Sequence, residues 1–326
     1  MKHESLHLNE NLKQYREEIA AARKCENIND PIDTCVIDFL AMGFTKLFVK
    51  LGIVPNAVTI LSMLSGVAGA VLIAQDNLPM TLGGIALVIL SAVFDASDGQ
   101  VARKTRHFSR IGRMLDGMSD ATVYFSLYLV TALRASCRPA FGVSPSVWTG
   151  LMLALGLLTF VFYVIQSQLP DYFKNLHMYM IDNAHGSELS RAKHVLAERD
   201  RAKKGSFERF SLSCYAAYTR TQERRAPVTQ RMLDRIEVEG KSDAMTDAFY
   251  QTSRKLVMAT NLMTFNLRTI VLFICLLLRV EPIVFAFCLL VLEPLRIYLL
   301  RRYERLAARL LAELPAGEAE REAVCV

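Results

Sequence analysis

The sequence predicts an all-α fold: a polytopic membrane bundle of six transmembrane helices, preceded by an amphipathic helix lying in the membrane interface. Two observations carry that class. The 326-residue chain is 52% hydrophobic with a mean hydropathy of +0.25, yet 21% of it is charged. Charge and apolar surface must therefore be segregated along the chain, as in a membrane protein with polar ends and one large polar loop. The apolar residues also gather into runs close to the roughly 20 residues that cross a bilayer as a helix.

The elements follow in order. Residues 1–30 are polar, rich in Glu, Lys and Ala, and predict a solvated helix. The opening Met-Lys-His-Glu stays mixed in charge to Asn29, so no cleavable signal peptide is expected and the first span acts as its own insertion signal. Over 33–51, Val36, Phe39, Leu40, Phe44, Leu47 and Leu51 recur every three or four positions, with Asp33, Asp38, Lys46 and Lys50 elsewhere. That pattern is the interfacial amphipathic helix. Gly52 and Pro55 end it, and the chain turns into the bilayer.

Spans are expected at 56–75, 80–101, 112–134, 146–168, 258–279 and 281–300. The fifth is the least clean, with Asn261, Asn266 and Arg268 in its first turns. Ser62, Gly66 and Ala70 stand at four-residue spacing and permit close helix packing, and Trp148 fits an interfacial anchor. The expected organisation is a cytoplasmic N-terminus with the interfacial helix (1–54), spans one to four (55–169), a basic cytoplasmic helical segment of two or three helices (170–256), spans five and six (257–300) and a cytoplasmic tail (301–326). Lys104, Arg106, Arg110 and Arg113, the cations of the long segment, and Arg301 and Arg302 lie on one side. Only Arg134, Arg138 and Arg279 lie on the other, so the positive-inside bias sets that orientation.

Other classes are disfavoured. The net charge of +6 suits anionic lipid surfaces or phosphorylated substrates, and no basic patch interleaved with aromatics suggests nucleic acid. Seven scattered cysteines without a Cys-x-x-Cys pattern support neither a zinc site nor a disulfide framework. His107, His177, His185 and His194 show no partner pattern and are expected at the surface.

The chemistry sits in one stretch. It reads Asp95-x-x-Asp98-Gly99-x-x-Ala102-Arg103, then eight residues, then Gly112-x-x-x-Asp116-x-x-x-Asp120. An apolar run ends at Phe94, and another begins at Ala121. Carboxylates at a membrane edge are costly without a partner, and four together repel, which points to divalent cations. Asp95 and Asp98 are three residues apart, and Asp116 and Asp120 four, so each pair projects from one helix face. Polar Lys104–Ile111 is expected to turn between two antiparallel helices, letting the pairs face each other around one or two Mg²⁺ ions. Gly99 and Gly112 permit close approach of a ligand to the backbone, and Arg103 offers a forked donor to phosphate. Met80 to Phe94 rises roughly 22 Å against a hydrocarbon core of about 30 Å, placing Asp95 shallowly within the inner boundary.

This string resembles the signature of the CDP-alcohol phosphotransferase (phosphatidyltransferase) family of integral membrane enzymes, and the likeness extends more weakly to Pro55-Asn56-x-Val58-Thr59. The resemblance implies a CDP-linked donor, an alcohol acceptor, one of the two being a lipid, and CMP as leaving group. It implies that Asp95, Asp98 and Asp116 hold two Mg²⁺ or Mn²⁺ ions. Asp120 would be the general base and share in the second metal. Gly99, Ala102, Arg103 and Gly112 would bind the nucleotide, with Asn56 and Thr59 completing its pocket or simply capping a helix. It also implies a homodimer. The donor is open between CDP-diacylglycerol with a soluble alcohol and a CDP-amino alcohol with diacylglycerol. The different classes that remain are an ion-coupled transporter, whose carboxylates tend towards the midplane, and an inactive scaffold, which need not keep the eight motif residues. Segment 170–256 is longer than such a core needs, so it bears on acceptor identity, and Asp171, Lys174 and Asn175 are candidates for acceptor contact.

Overall fold

A computed structural model describes Ile19 and residues 36–107, 110–181 and 189–313 of the chain. The helix expected over 1–30 lies outside them apart from Ile19, as do His185, Gly186 and the tail beyond 313. Among the described residues the structure is helical, with no strand. Five helices among these residues are long and apolar enough to cross a membrane: Pro55–Ile73, Leu78–Thr105, Pro145–Ile181, the run Asp243–Leu278 and the run Pro282–Glu313. Arg110–Ser136 is 27 residues long but is not among the five, since Asp116, Asp120, Arg134 and its hydroxyl side chains dilute the apolar content.

The chain divides into two compact units, and the division falls inside one helix, between Val164 and Ile165. The first unit contains α1 (Asp38–Lys50), α2 (Pro55–Ile73), α3 (Leu78–Thr105), α4 (Arg110–Ser136), the first half of α5 (Pro145–Ile181) and the segment 265–291. Helix α2 starts at Pro55, where a missing N–H and fixed φ cost nothing. It packs along both α3 and α4. Between α2 and α3 the backbones nearly touch: a Cβ on Gly84 would stand 2.5 Å from the Gly69 carbonyl oxygen, and one on Gly69 2.7 Å from that of Gly84. Hydroxyls close the same seam. Ser62 Oγ donates to the Ser91 carbonyl at 2.9 Å, Ser91 Oγ to the Ser62 carbonyl at 2.8 Å, and Ser65 Oγ to the Leu87 carbonyl at 2.9 Å. The small-residue stripe read from sequence is thus a real contact face.

Helix α1 docks on α3 through Ala41, Met42, Thr45 and Phe48, which are buried. Phe44 and Phe48 set their rings against Phe94 at 5.1 and 5.6 Å. Val36, Phe39, Leu40, Leu47 and Leu51 of the predicted apolar stripe remain exposed. Apart from Phe44, which turns inward onto Phe94, the stripe points away from α3 and stays outward, as an interfacial helix requires.

At the other end of α3 a buried ionic cluster ties three connections together. Arg134 on α4 donates to Glu281 at 3.1 Å, to Thr81 at 3.0 Å and to the carbonyls of Ile73 and Leu276 at 3.2 and 3.1 Å. It also pairs with Asp76 at 2.9 Å. Arg138 bonds both Asp76 and Glu281. Sequence reasoning counted these arginines only as a sparse outer-side charge. Trp148, expected as an interfacial anchor, is buried and donates to the Ala135 carbonyl at 2.9 Å.

The fifth span departs from its expected 258–279. Asn261–Met263 forms a 3-10 turn, and α10 (Phe265–Leu278) begins after it. Arg268 is buried, its guanidinium 4.9 Å from the Tyr163 ring centroid and 3.1 Å from the Tyr128 hydroxyl. A cation inside an apolar helix is tolerated there because aromatic faces and hydroxyls meet it.

The second unit contains the rest of α5, α6 (Ala192–Arg201), α7 (Phe207–Arg225), α8 (Pro227–Glu239), α9 (Asp243–Thr260) and the final helix. Among the described residues four helices therefore fill the stretch where two or three were expected, because the extended Ala202, the Ala226-Pro227 junction and Gly240 each end one. After α11 (Pro282–Phe287) and a π turn at Cys288–Leu292, α12 (Glu293–Glu313) packs on α8 and α9. Glu304 of α12 accepts from the first amides of α8, Val228 N at 2.8 Å and Thr229 N at 3.0 Å, satisfying orphan donors at a helix N-terminus. His177, expected at the surface, is buried, with Nδ1 2.7 Å from Ser253 Oγ.

Candidate metal and nucleotide site

The site forms where α3 ends, α4 begins and α2 starts. Helix α3 continues to Thr105, and Arg106 takes a left-handed φ of 55° that stops it, with the His107 amide donating to the Ala102 carbonyl at 3.1 Å. The expected turn over 104–111 is thus shorter than its polar composition suggested, since Lys104 and Thr105 stay helical and α4 resumes at Arg110.

Asp95 and Asp98 on α3 converge with Asp116 on α4, one oxygen of each lying within 4.8 Å of the others. Asp98 is buried and Asp95 and Asp116 are half-buried. Thr59 on the first turn of α2 donates to Asp98 Oδ2 at 2.5 Å. Asp95 Oδ1 is buried, and among the described residues no donor reaches it. A buried carboxylate oxygen without a donor is expensive, and a cation is the group that satisfies it. Two oxygens on one Mg²⁺-sized ion stand at most about 4.2 Å apart, so a small inward turn of these side chains suffices. The all-oxygen donor set fits a hard divalent ion.

Asp120 lies one helical turn beyond Asp116, exposed and outside the converging trio. Arg103 folds back over Gly99: a Cβ there would sit 3.3 Å from both terminal guanidinium nitrogens. Ala102, Arg103, Gly112 and Asn56 are half-buried around the same helix ends.

A supporting layer went unread in the sequence. Ser97 Oγ contacts the Ala41 carbonyl at 3.1 Å and the Val93 carbonyl at 2.6 Å. Thr45 Oγ1 donates to Gln100 at 3.0 Å, and Ser119 Oγ to the Thr59 carbonyl at 3.4 Å. Ser97 and Gln100 alternate with the aspartates on α3, so one face of this helix carries the carboxylates and another is held by α1. The signal was present, since Ser97 directly precedes Asp98 and Ser119 directly precedes Asp120, but their partners on other helices lie more than fifty positions away in sequence.

Comparison with known proteins finds similarity over the stretch that contains these residues. Residues 52–177 match the family model described as CDP-alcohol phosphatidyltransferase. The chain is 31% identical over 125 residues to a bifunctional IPC transferase and DIPP synthase of Aquifex aeolicus (strain VF5), covering 38% of this chain and 26% of that protein. It is 31% identical over 105 residues to a CDP-diacylglycerol–serine O-phosphatidyltransferase of Mycobacterium leprae (strain TN), covering 32% and 33% respectively. The chain thus spans about a quarter to a third of the length of these curated relatives. No solved structure is significantly similar to it.

Proposed function

We propose, from the premise that the chain belongs through residues 52–177 to the CDP-alcohol phosphatidyltransferase family, that it moves a substituted phosphoryl group from CDP-diacylglycerol to an alcohol and releases CMP. The observation that carries this reading is the convergence of Asp95, Asp98 and Asp116 at the matched helix ends. These three side chains hold Mg²⁺ or Mn²⁺, two ions in our reading. When bound, the ions neutralise the diphosphate and stabilise the leaving phosphate.

The chain's own groups do the rest. Thr59 fixes the orientation of Asp98. Arg103, lying over Gly99, offers its planar fork to diphosphate oxygens. Gly99, Ala102 and Gly112 leave room for the nucleotide against the helices, with Asn56 at its rim. Asp120, exposed and one turn from Asp116, takes the proton of the acceptor hydroxyl as that oxygen forms its bond to phosphorus and the bond to the CMP oxygen breaks. Asp120 also shares in holding the second ion.

In this reading α4 is the sixth span, its Arg134 neutralised by Asp76 and Glu281, and the aspartates open to the cytoplasm. The enzyme acts in phospholipid biosynthesis, as a homodimer. The Mycobacterium relative carries CDP-diacylglycerol in its name, which favours that donor over a CDP-amino alcohol acting on diacylglycerol.

The deciding experiment presents purified protein in detergent and Mg²⁺ with each CDP donor separately against a panel of alcohols, following CMP release. Release with CDP-diacylglycerol plus an alcohol, abolished by excess chelator, is expected. Release only with a CDP-amino alcohol and diacylglycerol would reverse the donor. Full turnover in chelator would remove the metal.

A further inference from the structure

Helix α12 presents a face that no described residue of its own unit covers. Leu299, Tyr303, Leu306, Ala307 and Leu310 are buried, and α8 and α9 pack against the helix. At about 100° of rotation per residue, Arg301, Arg305, Arg309, Arg302 and Tyr298 all fall within an arc of roughly 100° on the opposite side. All five are exposed, and the Arg302 guanidinium lies 5.9 Å from the Tyr298 ring centroid. Among the described residues, none of the four arginines has a carboxylate within ion-pairing distance, whereas Arg296, earlier on the same helix, is held by Glu293 at 2.6 Å. Glu304, the one acid between Arg301 and Arg309, is committed to the first amides of α8. The face therefore carries four positive charges that no described carboxylate compensates.

We infer that this arginine face binds the anionic headgroups of the bilayer leaflet from which the last span emerges. The helix continues directly from the apolar run beginning at Pro282, so the arginines start where that run ends. Arg309 lies eight residues past Arg301, a rise of about 12 Å, which keeps the set near a headgroup layer whose field extends about a Debye length, 8–10 Å. Tyr298 precedes the arginines, as an aromatic at the headgroup level should. A basic segment directly after a span draws about fivefold in affinity from each cation near an anionic surface.

The test uses the full chain, delipidated in neutral detergent and titrated with phosphatidylglycerol or phosphatidylcholine, counting retained lipids by native mass spectrometry. Phosphatidylglycerol should be retained preferentially, less so as salt rises, and inorganic phosphate should not displace it. Replacing Arg301, Arg302, Arg305 and Arg309 by Gln should cut the preference at least tenfold, while the four Lys replacements should keep it within about threefold. The pair Arg220→Gln and Arg224→Gln, exposed on α7, should leave it unchanged. An undiminished preference in the Gln variant, an equal loss in the α7 pair, loss in a monodisperse Lys variant, or displacement by inorganic phosphate would each overturn the inference.

Discussion

The hydroxyl of Thr59 reaches Asp98 at 2.5 Å and is itself buried, so its part in the site is to aim a carboxylate. Second-layer bonds of this kind govern metal affinity by about 10–100-fold when removed. Thr59→Val is therefore expected to raise the Mg²⁺ concentration for half-maximal activity by at least tenfold, while Thr59→Ser stays close to the parent; a Mg²⁺ titration of CMP release reads both. Asp120 makes the opposite prediction. General-base assistance contributes about 10²–10⁴-fold, so Asp120→Asn should lower turnover by at least a hundredfold while donor binding, measured by calorimetry with Mg²⁺, changes only a few-fold. Equal loss of both would make Asp120 chiefly an ion ligand. The aspartates were legible in sequence because their i,i+3 and i,i+4 spacing fixes a shared face. Ser97, Gln100 and Ser119 were not, because their partners come from other helices.

Among the elements, the α2–α3 seam sets where the aspartates meet α2. Gly69 and Gly84 approach so closely that a methyl group on either meets a carbonyl oxygen of the facing backbone, which cannot swing aside. Gly83, one residue away, would meet only a Leu72 methyl at 3.6 Å. Gly69→Ala is thus expected to lower the unfolding temperature in detergent by several degrees, despite the better helix propensity of Ala, while Gly83→Ala leaves it level or slightly higher. Equal unfolding temperatures for the two variants would contradict the seam. The sequence marked this stripe by small residues at Ser62, Gly66 and Ala70, and burial agrees at all three. It could not mark Gly84 as the partner, because crossing position depends on how two helices meet.

At the scale of the whole first unit, the two ends of α3 are held differently: acidic side chains gather at one end, and a neutralised ionic cluster closes the other. Arg134 and Glu281 are both almost wholly buried within a cluster of two arginines and two acids, so removing one of them strands one net charge that the remaining acid or arginine cannot balance. Glu281→Ala should cost about 3–5 kcal/mol, read as a large drop in unfolding temperature, and the double change Arg134→Leu with Glu281→Leu should recover most of it, leaving Arg138 with Asp76. A single change no worse than the double would refute the stranded-charge account. The sequence by itself determined the helical membrane class, the starts of most of the apolar helices and the carboxylate motif, because helical periodicity and bilayer thickness are local constraints on a chain. Tertiary structure alone decided that Asp95, Asp98 and Asp116 bring their oxygens together, that Thr59 serves Asp98, that most of the apolar stripe of α1 faces outward, and that Arg134, Arg268 and His177 are buried. Each of those outcomes depends on which distant helix supplies the neighbouring atoms, and spacing along one helix carries no record of that.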